Sequence, residues 1–219
     1  MIAMTKKKRR RRRRTTTRQS LRFTPTAWAK LLFLRDIGPT EVGLFGITPP
    51  DDLLVIEDVS LVRQQCTPVT TAFDDEAVAD FIDEQVDLGR TPEQCCRIWL
   101  HTHPGDCPHP SGTDEATFAE AFSGPDWSVM FIIAAGGRTY ARLKCNVGPG
   151  CTKRLGVAVD YSTPFDESDH DLWQAQYEAA VECVDPFSNR GAGRMLSDNA
   201  WLDDEAGIRH WHQSEWVAS

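Results

Sequence analysis

Between residues 101 and 114 the chain reads HTHPGDCPHPSGTD. Its three prolines remove backbone donors and fix φ, and its glycines free the backbone, so the stretch belongs to a loop rather than to the interior of a helix or strand. Yet this loop carries three histidines, two aspartates, a cysteine and a serine, the side chains that bind metal ions or move protons. Its flanks are regular. QCCRIWLHTH (94 to 103) reads as a strand running into the loop, which places Cys95 and Cys96 on a packed strand. SGTDEATFAEAFSG (111 to 124) reads as a helix capped by Ser111 and ended by Gly124.

That arrangement has a geometric consequence. Side chains two apart on a strand point the same way, so His101 and His103 lie on one side, about 7 Å apart along the chain. Ser111 and Asp114, three apart at the start of a helix, share a face near its N-terminus. If the loop folds back, a carboxylate and a hydroxyl arrive beside two imidazoles. Two histidines and a carboxylate give zinc three protein ligands and leave a fourth position open, as in catalytic rather than structural sites.

The remaining sequence supplies a domain to carry such a site. TPTAWAKLLFLRDIG (24 to 38) opens with Thr24 and Pro25 as cap and first helical residue. EVGLFGI (41 to 47) and LLVIEDVSLVRQQCTPVT (53 to 70) read as strands joined by a turn. DDEAVADFIDEQVDLG (74 to 89) spaces Val78, Phe81, Ile82 and Val86 at helical intervals. WSVMFIIAA and TYARLKCNV flank Gly136-Gly137 as a hairpin; a strand (154 to 162) and an acidic helix (166 to 184) follow, with Trp173 and Tyr177 as core or docking residues. Alternating strands and helices predict an α/β layered domain. Its expected span is 23–165, after a basic disordered tail (1–22) and before a C-terminal helix and extension (166–219) of unassigned role.

Charge and cysteine usage narrow the function classes. Lys6 to Arg14 supply nine of 24 basic residues, while the whole chain carries a formal charge of -8; without them, 15 basic face 32 acidic residues, or -17. The body therefore repels a phosphate backbone, and nucleic acid or anionic lipid can be attracted only through the tail. The apolar run VMFIIAA (129 to 135) is far short of the roughly 20 residues that span a bilayer, and no secretory signal is recognisable, so a cytoplasmic location is expected. Seven cysteines without a Cys-x-x-Cys predict reduced thiols rather than a disulfide framework.

The motif then becomes specific. His101-x-His103-Pro104, with Ser111 seven residues on and Asp114 three after that, resembles the JAMM (Jab/MPN) zinc metallopeptidase motif, His-x-His-Pro with Ser-x-x-Asp, of the prokaryotic JAB type. The resemblance covers about residues 25 to 145, although Ile98 stands where many members have glycine. It implies a cytidine-deaminase-like, three-layer α/β/α sandwich with a mixed sheet. It implies one Zn²⁺ per chain held by His101, His103 and Asp114, with Ser111 donating a hydrogen bond to the tetrahedral oxyanion. The family also requires an upstream glutamate, for which Glu41, followed by Gly43 and Gly46, fits better than Glu57. That glutamate would take a proton from metal-bound water and pass it to the leaving amine. The implied substrate is a peptide or isopeptide bond at the C-terminus of a ubiquitin-like or sulfur-carrier protein.

Competing readings stay open at this stage. Metal-free relatives of this type act as non-catalytic scaffolds, and the tail suits a nucleic-acid-associated factor. Cys107 and His109 lie between the ligands and read as loop residues, with a regulatory thiolate at Cys107 as an alternative. His210 and His212 repeat the spacing without a following Ser-x-x-Asp and read as a surface or tail pair. No G-x-S-x-G elbow supports a nucleophilic serine.

Overall fold

A computed structural model describes residues 19–186; most of the expected tail and the His210/His212 pair lie outside the described residues. The chain begins with β1 (Ser20–Phe23), α1 (Pro25–Asp36) and β2 (Gly43–Ile47). Short strands follow: β3 (Val55–Ile56), β4 (Asp58–Ser60), β5 (Gln64–Thr67) and β6 (Thr70–Phe73). Next come α2 (Asp75–Asp87), α3 (Pro92–Cys95), β7 (Ile98–His103) and α4 (Gly112–Ala121). The chain continues through β8 (Trp127–Ala134), β9 (Thr139–Cys145), β10 (Cys151–Arg154), β11 (Gly156–Val159), α5 (His170–Ala180) and β12 (Val181–Cys183). It is a mixed α/β protein.

Six strands form the main sheet in the order β10-β9-β8-β7-β2-β4. Only β7 and β8 run parallel, from Ile98↔Val129 to His103↔Ala134; the other pairs are antiparallel. A parallel neighbour requires a crossover, and α4 is that crossover, so its N-terminus sits just beyond the end of β7. Strand β8 is buried almost throughout, as expected of a strand covered on both faces. Val129, Phe131 and Ile133 join Leu31 and Leu34 of α1 in one core. Met130 and Ile132 join Phe118 of α4 and Phe81 of α2 in the other. The two-residue period of the strand thus serves two helical layers at once.

Several boundaries differ from the sequence expectation. Residues 20–22 belong to β1, not the tail: Leu21 and Phe23 are fully buried, and β1 pairs in parallel with β11 and β3. The expected strand over 94–103 splits, because Pro92 at the first helical turn and a Thr91/Gln94 capping box start the short helix α3, which takes Cys95 and its C-cap Cys96 off the sheet. The long segment 53–70 breaks into three strands and the first residue of a fourth, and of 154–162 only Arg154, the end of β10, and Gly156–Val159, which form β11, are strand. The helix expected over 166–184 stops at Ala180, where Val181–Cys183 pair with β5 instead. Nor do residues 166–186 stand apart. Phe33 of α1 stacks on His170 with centroids 5.0 Å apart, and Tyr177 joins the core of α1. No helix among the described residues is long and apolar enough to cross a membrane.

Candidate metal centre

The end of β7, the start of α4 and the residues entering β2 converge on one cluster. His101 is fully buried and its ring stacks on Trp99, two residues earlier on the same face, with centroids 4.4 Å apart. His103 lies one step beyond, 5.1 Å away ring to ring. Asp114 is held by the first turn of α4: Ser111 Oγ accepts from the Asp114 N–H at 3.1 Å, and the Ser111 N–H donates to Asp114 Oδ2 at 2.6 Å. This reciprocal cap orients the carboxylate toward the histidines. Asp114 Oδ1 lies 3.3 Å from His101 Nε2, and Oδ2 lies 3.6 Å from His103 Nε2.

One ligand atom from each of His101, His103 and Asp114 falls within 4.8 Å of the others, so the three can hold one metal ion. The imidazole nitrogens that face the cluster are without hydrogen bonds. Both ring nitrogens of His101 and Nε2 of His103 are buried without a hydrogen-bond partner, a condition that folded proteins rarely leave uncompensated. The tautomer of His103 follows from its other nitrogen. Nδ1 is 2.8 Å from the Cys107 carbonyl, which can only accept, so Nδ1 carries the proton and the Nε2 lone pair of the neutral ring faces the cluster.

Glu41 enters from β2. The antiparallel register pairs Gly43 with His101, and extending it places Glu41 opposite His103. Its Oε1 lies 3.6 Å from His103 Nε2, and the residue is buried. The backbone there is pinned by Glu41 N–H to the Thr67 carbonyl and by Val42 N–H to Thr102 Oγ1, both 2.9 Å. Gly43 and Gly46 are required for packing rather than chemistry. A Cβ at Gly43 would sit 2.7 Å from Phe73 Cζ, and one at Gly46 would sit 3.1 Å from Ile98. The competing Glu57 is directed elsewhere, 3.6 Å from Arg90.

Protonation follows from this crowding. Burial pushes the Glu41 carboxyl up to about 8; His103 opposes the shift and Asp114 adds to it. Burial holds His101 below its ordinary value despite Asp114. For His103 burial also pulls down, but Asp114, the Cys107 carbonyl and Glu41 outweigh it and leave the group raised. Asp114 is disfavoured by burial, yet the two imidazoles and the Ser111 N–H hold it well below the usual carboxylate range. Glu41 and His103 thus hold their protons more tightly than usual, while His101 and Asp114 give theirs up.

The structure brings together His101, His103, Asp114 and Glu41, with Ser111 exposed beside Asp114. Cys107 and His109 are not among the grouped ligands: Cys107 contributes its carbonyl, and His109 packs edge-on against Tyr140. Sequence reasoning missed the Cys107 carbonyl, for which no side-chain signal exists. It also missed the stacking of Trp99, which the i, i+2 spacing to His101 did signal. No protein-family model matches the chain, and neither does any curated protein.

Proposed function

We propose that this chain is a zinc-dependent hydrolase of the JAMM type, with that family's cytidine-deaminase-like sandwich. The bond it cleaves is a peptide or isopeptide bond at the C-terminus of a ubiquitin-like or sulfur-carrier protein. The observation that carries the reading is the buried trio of His101, His103 and Asp114, in which both ring nitrogens of His101 and Nε2 of His103 have no hydrogen bond, with a separate carboxyl, Glu41, beside it. Two nitrogens and one oxygen are a donor set that zinc accepts with a coordination position to spare. When bound, zinc would supply Lewis acidity, acidifying a water and polarising the scissile carbonyl.

The chain's own groups do the rest. His103 is locked in the tautomer that offers Nε2, and the helix cap fixes Asp114. A cation beside Glu41 favours its ionised form, so a carboxyl that burial brings to about 8 becomes a proton acceptor near neutrality. Ser111 Oγ already accepts from the Asp114 N–H, which leaves its O–H free to donate.

The test compares hydrolysis of a ubiquitin-like fusion by the wild type, Glu41→Gln and Asp114→Ala, with and without a chelator. Glu41→Gln should lose about 10²- to 10⁴-fold in rate while keeping its zinc. Asp114→Ala should lose both metal and activity. Equal rates in every arm would defeat the proposal, and purified protein that contains no zinc would favour a scaffold.

A further inference from the structure

The hairpin that ends the main sheet carries a second chemical feature, remote from the histidines. Strands β9 and β10 pair antiparallel with Cys145 directly opposite Cys151. A five-residue turn, Asn146 to Gly150, connects them and is closed by a bond from the Gly150 N–H to the Val147 carbonyl. Directly opposed residues on antiparallel strands have Cα atoms about 4.5–5.5 Å apart, inside the range that a disulfide spans. Their side chains share one face, and here the two sulfurs are 2.8 Å apart. Strand β10 is the outer edge of the sheet and exposed along its length, so an oxidant can reach the pair.

No other cysteines among the described residues combine juxtaposition with access. Cys95 and Cys96 are neighbours but buried. Cys66 opposes Cys183 on β5 and β12, yet Cys66 is buried and its thiol donates to Gln64 Oε1.

We propose that Cys145 and Cys151 are a reversible redox-modification site, closing to a disulfide when the protein meets a small disulfide oxidant such as glutathione disulfide. One cysteine thiolate attacks a glutathione sulfur; that S–S bond breaks, a glutathione thiolate leaves, and a mixed disulfide forms. The opposing cysteine thiolate then attacks the protein sulfur and expels the second glutathione. The two cysteines lose two electrons and glutathione disulfide gains them, while the two thiol protons pass through water to the departing thiolates. The product clamps the hairpin and fixes β10 without moving the backbone. The sequence signal is C-x₅-C across a Gly-Pro-Gly turn.

The experiment equilibrates the reduced full chain with graded mixtures of reduced and oxidised glutathione, then quenches by alkylation. Trypsin cuts after Lys144 and Lys153, so residues 145–153 form one peptide holding both cysteines. The expected product is that peptide two hydrogens lighter, unalkylated, and restored by dithiothreitol. Cys145→Ser should instead accumulate a glutathione adduct on Cys151, because no second thiol resolves it. The proposal fails if the wild-type peptide remains doubly alkylatable at every ratio, or if it collects stable glutathione adducts as the variant does.

Discussion

Gln64 and His101 are both buried polar side chains beside Gly43 of β2, yet the fold treats them in opposite ways. Gln64 is fully committed: its Oε1 accepts from the Gly43 N–H at 2.7 Å, and its Nε2 donates to the Gly43 and Val62 carbonyls at 2.8 and 2.9 Å. His101 is equally inaccessible and neither ring nitrogen has a hydrogen bond. A buried polar atom left unpaired costs about 1–3 kcal/mol, so an unused imidazole at the heart of the fold is a standing destabilisation. The difference separates two uses of polarity. Around Gln64 the chain closes every bond and gains rigidity at the entry to β2. Around His101 it leaves donor atoms without hydrogen bonds, as the proposed metal site requires.

The strongest way to break this comparison is His101→Leu, which removes the unpaired nitrogens and keeps an apolar contact with Trp99. Zinc affinity should fall by more than about 100-fold, since even outer-shell changes around a metal cost 10- to 100-fold. The metal-free variant should melt no lower than the metal-free wild type. Zinc titration and thermal unfolding check the two halves. A large drop in metal-free stability would mean that His101 is a satisfied structural residue, and the contrast with Gln64 would collapse.

The converse variant is Gln64→Leu, which strips partners from the Gly43 N–H, the Gly43 carbonyl and the Val62 carbonyl together. Three unsatisfied groups imply a loss on the order of 3 kcal/mol or more, read as a lower denaturation midpoint. Zinc stoichiometry of the folded protein should remain one per chain. Loss of metal at unchanged stability would place Gln64 in the site rather than beneath it.

Much of this contrast was legible before any coordinates. The histidine pair, Ser111 and Asp114 come from side-chain identity and short spacings within one strand, one loop and one helix turn, whereas the choice of Glu41 over Glu57 comes from the family resemblance. Such local patterns survive folding because backbone geometry fixes them. Gln64 carried no comparable signal: its partners are backbone atoms of Gly43, 21 positions away, and nothing in the sequence marks that meeting. The misplaced boundaries have the same origin. Val181–Cys183 have a plausible helical pattern, but pairing with β5, more than a hundred residues earlier, claims them for a sheet. Leu21 looks like the end of a tail until β11 and β3 close over β1. Local chemistry was readable; long-range partnership was not.

The subtlest effect lies in the pH dependence of the metal-free protein. Folding raises Glu41 from 4.5 to about 8, so between those values the native state keeps a proton that the unfolded chain has released. Stability must then fall as pH rises. His103, also raised, acts in the same direction above its ordinary value, whereas His101, which is lowered, acts oppositely only below about 6.5. Asp114 is lowered and matters only at acid pH, below its ordinary 3.8. From pH 6.5 to 8, therefore, both active contributions carry one sign, and the Glu41 share is on the order of 2 kcal/mol. Denaturation of the chelated protein across that window should show the decline, and Glu41→Gln, which cannot ionise, should flatten most of it. Zinc should remove the slope as well, because a cation displaces the protons that the cluster otherwise retains, and its affinity should rise with pH. An undiminished slope in Glu41→Gln would mean that burial does not hold a proton on Glu41 in the fold, and the carboxyl would not be the buried proton carrier placed beside the histidines.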